Sequence, residues 1–85
     1  MPYYAAILHM LDKEKNLQVR PRHIEYLDML DQNGKIFARG PFSDDSGGLV
    51  VYIADSYEEA LKLAENDPHV VCESRRLELK EWKVV

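Results

Sequence analysis

The sequence predicts an α+β domain with the element order β-α-β-β-α-β, a four-stranded antiparallel sheet that carries both helices on one face. Three observations lead there. Stretches 3–10 and 49–54 are apolar in both alternating sets, the pattern of strands covered on both faces. Ser56 and Glu59 form a Ser-x-x-Glu capping box ahead of an apolar stripe at helical spacing. Gly34 and Asp67-Pro68 each end a helical pattern, and a strand-like run follows both.

In the first strand, residues 3–10, Tyr3, Ala5 and Ile7 alternate with Tyr4, Ala6 and Leu8. Residues 12–18 are charged and read as a loop. Pro21 then opens a helix over 21–33, because the amide it lacks has no partner to lose at a first helical position, and His23 falls in the first turn. Ile24, Leu27 and Leu30 make the apolar stripe of this helix, and Gly34 supplies the positive φ that ends it. A second strand over 35–40 closes on Gly40-Pro41. Residues 42–48 hold Ser43, Asp44, Asp45, Ser46, Gly47 and Gly48, a turn-forming loop able to fold over a neighbouring pocket.

In the third strand, 49–54, Leu49, Val51 and Ile53 alternate with Val50, Tyr52 and Ala54. The second helix starts at Ser56 and lines up Tyr57, Ala60, Leu61 and Ala64. Asp67-Pro68 stops it. In the last strand, 74–84, Leu77 and Leu79 fall in one alternation and Trp82 and Val84 in the other, which predicts a bulge near Lys80-Glu81 or a change of partner. Two helices cover one face of a sheet. The second apolar face of strands one and three therefore predicts a homodimer that pairs sheet against sheet.

Eighty-five residues make one domain, 1–85, whose burial is limited to a little over ~60% of its unfolded surface. Fifteen acidic against eleven basic side chains give a net charge of −4, which argues against nucleic acid as a partner, since binding it requires several phosphates to be neutralised. No apolar run is long enough to span a bilayer, and the first residues lack the basic region and cleavage site of an export signal. A soluble, cytoplasmic protein is expected, with no membrane partner. One cysteine, Cys72, allows neither an internal disulfide nor a thiol metal clip, and it reads as a partly buried inert thiol. The histidines at 9, 23 and 69 have no metal-ligand spacing, so neither metal nor cofactor is expected.

His23 is the leading candidate for chemistry, because imidazole both takes and gives a proton near neutral pH. Asp67 is its expected companion: it follows the second helix, which lies beside the first in this layout, and a carboxylate there would fix the imidazole tautomer. The plain alternatives are a solvated first-turn His23 and an Asp67 that caps the turn around Pro68. Arg20 and Arg22 are candidates to hold an anionic substrate, Arg22 being more readily a solvated charge. His9 reads as a core or rim residue. Tyr3, Tyr4, Tyr52 and Trp82 read as sheet and interface packing.

These residues also carry a family resemblance. Arg20-Pro21-x-His23, the helix ending at Gly34, Gly40-Pro41, Gly47-Gly48, Asp55-Ser56-x-Glu58-Glu59-Ala60 and Asp67-Pro68, in that order, resemble the YciI-like (YCII-related) proteins over nearly the whole chain. The resemblance implies a dimeric α+β barrel of the ferredoxin-like class with a His and Asp pair in a pocket, read as an acid/base site. Carried over by residue, the pair is His23 and Asp67, with Gly40, Pro41 and Ser46 in the loop beside them. Two departures stand out. His69 replaces the aromatic residue common after Asp-Pro in this family, and Cys72-Glu73 replaces a small or glycine residue. His69 is either a second titrating group that contacts substrate or a polar surface position, the surface being the more ordinary place for it.

Two functions compete. The first is a small, cofactor-independent enzyme, an isomerase or lyase in which His23 and Asp67 move a proton on a small aromatic or carbonyl-bearing metabolite under the 44–48 loop. The second is a non-catalytic dimeric module whose pocket holds a metabolite and reports it to a partner. An RNA-binding domain with the same element order is disfavoured by the acidic balance and by a third strand without the stacking aromatics of that class.

Overall fold

In the computed structural model, which describes residues 2–85, the chain folds as β1 (Tyr3–Met10), α1 (Lys13–Gln32), β2 (Ile36–Pro41), β3 (Gly47–Ile53), α2 (Tyr57–Glu65), α3 (Pro68–Val71) and β4 (Arg75–Trp82). The sheet order is β2-β3-β1-β4, and every neighbouring pair is antiparallel. This is the predicted ferredoxin-like layout with one short helix added. Leu27 and Leu30 of α1 and Ala64 of α2 share a core with Ala6, Leu8, Ile36, Val50 and Tyr52, so the helices pack on one face. The box at Ser56 forms as read, its hydroxyl accepting from the Glu59 amide at 3.1 Å.

The first helix differs from expectation. It starts eight residues earlier, capped by Asp12, whose carboxylate accepts from the Lys15 amide at 3.0 Å, and Pro21 lies inside it. An interior proline removes one helical hydrogen bond and costs about 3 kcal/mol. The cost is offset because the helix buries a stripe on both sides of it: Asn16, Val19, His23, Leu27 and Leu30, spaced by three and four residues. Two of the five are polar, and that hid the first turns from an apolar-pattern reading. His23 is consequently mid-helix. The other end follows the glycine rule. Lys35 N–H donates to Leu30 O at 2.9 Å and Gly34 N–H to Asp31 O at 3.0 Å, a Schellman motif around Gly34 at φ +71°.

The last strand is regular where a bulge was expected. β4 pairs with β1 without a shift from Met10–Arg75 to Tyr3–Trp82. Leu77 and Leu79 face the helices, whereas Trp82 points to the open face, where its ring lies 6.4 Å from Phe37, itself 4.7 Å from Tyr3. The change of alternation records two apolar faces, not a kink. The sheet's irregularity lies in β2, between Ile36 and Ala38.

Gly47 shows how tightly β1 and β3 are drawn together. Its φ is +140°, and a Cβ there would stand 1.8 Å from the Leu8 carbonyl oxygen. Gly47→Ala is therefore expected to lose about 3 kcal/mol or more of stability. Urea denaturation followed by circular dichroism reads this directly, and an unchanged midpoint would contradict it.

Candidate functional site

The site grows from the turn between α2 and β4. Pro68 sits at the first position of α3 and Asp67 caps it, its Oδ1 accepting from the His69 amide at 2.9 Å. The same Oδ1 lies 2.7 Å from His23 Nδ1 of α1. Capping and histidine contact, posed as alternatives by the sequence, are carried by one oxygen. Asp67 is fully buried and His23 nearly so, at 0% and 8% exposure. A carboxylate can only accept, so Nδ1 of His23 carries the hydrogen and Nε2 keeps its lone pair for the cleft that His23 lines.

His69 is not a surface residue. It is 0% exposed, and its ring lies 4.2 Å from that of His23, tilted by 39°. The Ser74 hydroxyl donates to the His69 carbonyl at 3.1 Å and sits 2.8 Å from His69 Nδ1. With its one hydrogen so used, the hydroxyl accepts from Nδ1–H, which leaves Nε2 the unprotonated nitrogen, buried and without a partner. A proton added there would be a buried donor with no acceptor. Burial first, then the charges of His23, Arg75 and Arg20, push His69 down to about 4, against a smaller upward pull from Asp67. Burial and the Asp67 charge likewise raise Tyr26, whose hydroxyl donates to Leu63 O at 2.7 Å, and Tyr52.

A cleft of about 260 Å³ opens between α1 and the β2–β3 side of the sheet, lined by Arg20, His23, Ile24, Leu27, Arg39, Gly40, Pro41, Leu49, Val50 and Arg75. Of the residues singled out from sequence, His23, Arg20, Gly40 and Pro41 meet on its wall, while Asp67 and His69 stand behind His23. Ser46 does not reach the wall. It sits in the β2–β3 turn, its amide donating to Asp44 Oδ1 at 3.0 Å and its carbonyl accepting from Met10 N–H at 2.8 Å. Arg22 lies outside the cleft, its guanidinium 3.9 Å from Cys72 Sγ, and His9 pairs at 2.7 Å with Glu78 on the open face. Glu73, at the position of the second family departure, takes a left-handed φ of +59°. No group of three or more His, Cys, Asp or Glu side chains is arranged to hold a metal ion among the described residues.

Sequence reasoning missed Arg75, Asn16 and Arg39. Arg75 Nε donates to Asn16 Oδ1 at 2.7 Å, and Arg39 pairs with Asp28 and Asp31 at 2.6 and 3.6 Å. A signal existed for the first two. Asn16 is in helical phase with Val19, His23 and Leu27, and Arg75 alternates in phase with Leu77 and Leu79.

Fold and cleft together describe a small α+β domain of the ferredoxin-like layout whose long helix carries a histidine, backed by a buried aspartate, at a cleft beside the sheet. The chain belongs to the YCII-related domain family, which it matches over residues 1–83. It is 39% identical over 82 residues to "Uncharacterized protein YjpA" of Bacillus subtilis (strain 168), covering 96% of each chain. In fold it is similar to 5-chloro-2-hydroxyhydroquinone dehydrochlorinase (TftG) from Burkholderia phenoliruptrix AC1100, solved in complex with 2,5-dihydroxybenzoquinone, with a TM-score of 0.78 over 98% of this chain and 94% of that one at 22% identity.

The depressed His69 sets a pH dependence. Between about pH 6.5, where an unfolded histidine titrates, and about 4, the unfolded chain binds a proton that the folded chain refuses, so stability falls as pH falls through that window. The contribution is about 3 kcal/mol when complete. His69→Phe, which keeps a ring against His23, is expected to flatten this slope in denaturation series from pH 7 to 4, and an unaltered slope would contradict the assignment.

Proposed function

We propose that this protein is a small acid/base enzyme in which His23, held by Asp67, moves a proton on a small aromatic or carbonyl-bearing metabolite bound in the cleft. The observation that carries the reading is the buried 2.7 Å contact between His23 Nδ1 and Asp67 Oδ1, which leaves Nε2 as the base toward ligand. Asp67 is the positioning residue: it fixes the tautomer and offsets the positive charge the ring acquires when it takes the proton. Ile24, Leu27 and Val50 offer a ring-shaped ligand apolar walls, and Arg20, Gly40 and Pro41 are its contacts at the rim. The reading is supported by the structural relative, a dehydrochlorinase of a hydroxylated aromatic that holds a dihydroxybenzoquinone. His69 acts through His23 as a neutral ring behind it.

The same reading includes a homodimer formed across the open face of the sheet and a cytoplasmic setting in which Cys72 stays reduced. Support for the dimer lies in the unpartnered apolar residues of that face: Tyr3 and Ile7 of β1, Leu49 and Ile53 of β3, and the half-exposed Phe37 and Trp82. Ile7→Glu puts a charge at its centre and is expected to give a folded monomer in sedimentation experiments where the wild type sediments as a dimer. A monomeric wild type at roughly 100 μM would rule the dimer out.

Proton transfer is read without knowing the net reaction. In D2O, a panel of small cyclic ketones and hydroxylated aromatic ketones is followed by NMR for deuterium entering carbon positions beside the carbonyl. Wild type is expected to accelerate exchange on members that bind, His23→Ala to lose about 100-fold or more, and Asp67→Asn to lose less while staying folded. Binding without any His23-dependent exchange favours the alternative, a non-catalytic metabolite-binding module.

A further inference from the structure

Arg75 is an anomaly in an acidic protein. It is 92% buried at the start of β4, yet among the described residues no carboxylate lies within ion-pairing distance of it, although the chain has fifteen acidic side chains. Buried guanidinium groups are rarely left without an anion, because desolvating the charge costs several kcal/mol unless a partner compensates. Arg39, on the same cleft, is neutralised by Asp28 and Asp31, whereas Arg20, like Arg75, has no carboxylate in ion-pairing distance among the described residues. The Arg75 head is also held in place. Its Nε donates to Asn16 Oδ1 at 2.7 Å, and its Nη1 lies against Gly48, where a Cβ would stand only 3.0 Å away. The terminal nitrogens, unlike Nε, have no protein acceptor, and they are not among the buried atoms without a partner, so they open on the cleft.

We infer that Arg75, fixed by Asn16 and given room by Gly48, is with Arg20 the seat for an anionic oxygen, and that the cleft takes small planar organic anions such as ring carboxylates, enolates or phenolates. The inference rests on the reading of the cleft as the ligand site and names its substrate class. The geometry matches the task. A planar guanidinium donates two parallel hydrogen bonds to a carboxylate or a pair of ring oxygens, while apolar Ile24, Leu27 and Val50 bury the ring. Burial lowers the pKa of Arg75, the Asp67 charge opposes that and Arg20 adds a smaller lowering, so the main penalty on this guanidinium is desolvation, which an arriving anion compensates.

Benzoate and benzamide, equal in size and different in charge, are the probes. In amide NMR titrations of the wild-type protein, benzoate is expected to shift Leu49, Val50 and the Arg75 Nε–H, and to bind at least about tenfold tighter than benzamide. The preference is expected to shrink in high salt, and Arg75→Gln to abolish it. Arg20→Gln, at an exposed position, is expected to reduce it without affecting folding. Equal affinities, no saturable benzoate binding at roughly 10 mM, or a preference that survives Arg75→Gln would overturn the seat. Should Arg75→Gln fail to fold, the benzoate-to-benzamide ratio of the wild type and its reduction in Arg20→Gln decide the matter. The outcome is separable from the acid/base reading. Deuterium exchange on uncharged ketones without a benzoate preference removes the seat alone, and a benzoate preference without exchange removes the acid/base role alone.

Discussion

A single carboxylate oxygen, Oδ1 of Asp67, meets two nitrogens from different parts of the chain: the amide that opens α3 and the imidazole of His23 in the middle of α1. Both contacts are fully buried, so neither can be exchanged for water without leaving a polar group unsatisfied. The turn after α2 is thereby tied to the long helix across the top of the sheet. His69 follows two residues on and completes the layer, its ring against His23 and its Nδ1 on Ser74. The arrangement is a polar core laid beside an apolar one. Leu27 and Leu30 hold α1 to the sheet, and Asp67 fixes the rotation of the same helix through His23.

That division explains what could be read from the sequence. Signals that act within a few residues were legible: the Ser56 box, the Gly34 ending, the strands at 3–10 and 49–54, and so the order of elements. The start of α1 was not, because its buried stripe is part polar. Asn16 and His23 occupy positions where an apolar residue would announce a helix, and Pro21 mimics a beginning. His69 was misplaced at the surface for a related reason. A histidine after Asp-Pro carries no local mark of burial, and only the fold brings Ser74 and His23 to its two sides. Arg75 showed only its phase with Leu77 and Leu79, since its significance lies in the lack of an ion-pairing carboxylate beside it.

The charge distribution follows the same logic. The chain is acidic as a whole, yet the cleft gathers Arg20, Arg39 and Arg75 beside His23. Acidic residues at the rim, Asp28 and Asp31, neutralise only Arg39. A negative exterior thus surrounds a recess lined by positive side chains, and the local potential at the opening differs in sign from the net charge of the chain.

Ser74 gives the arrangement a further property. Its carbonyl accepts from both Leu11 and Asp12, anchoring the chain where α1 begins, while its hydroxyl holds His69. Backbone and side chain of one residue therefore report to the start and to the middle of the same helix. A lengthened or shortened connection between α3 and β4 would be felt at the two imidazoles, some eleven residues along α1 from the anchored backbone.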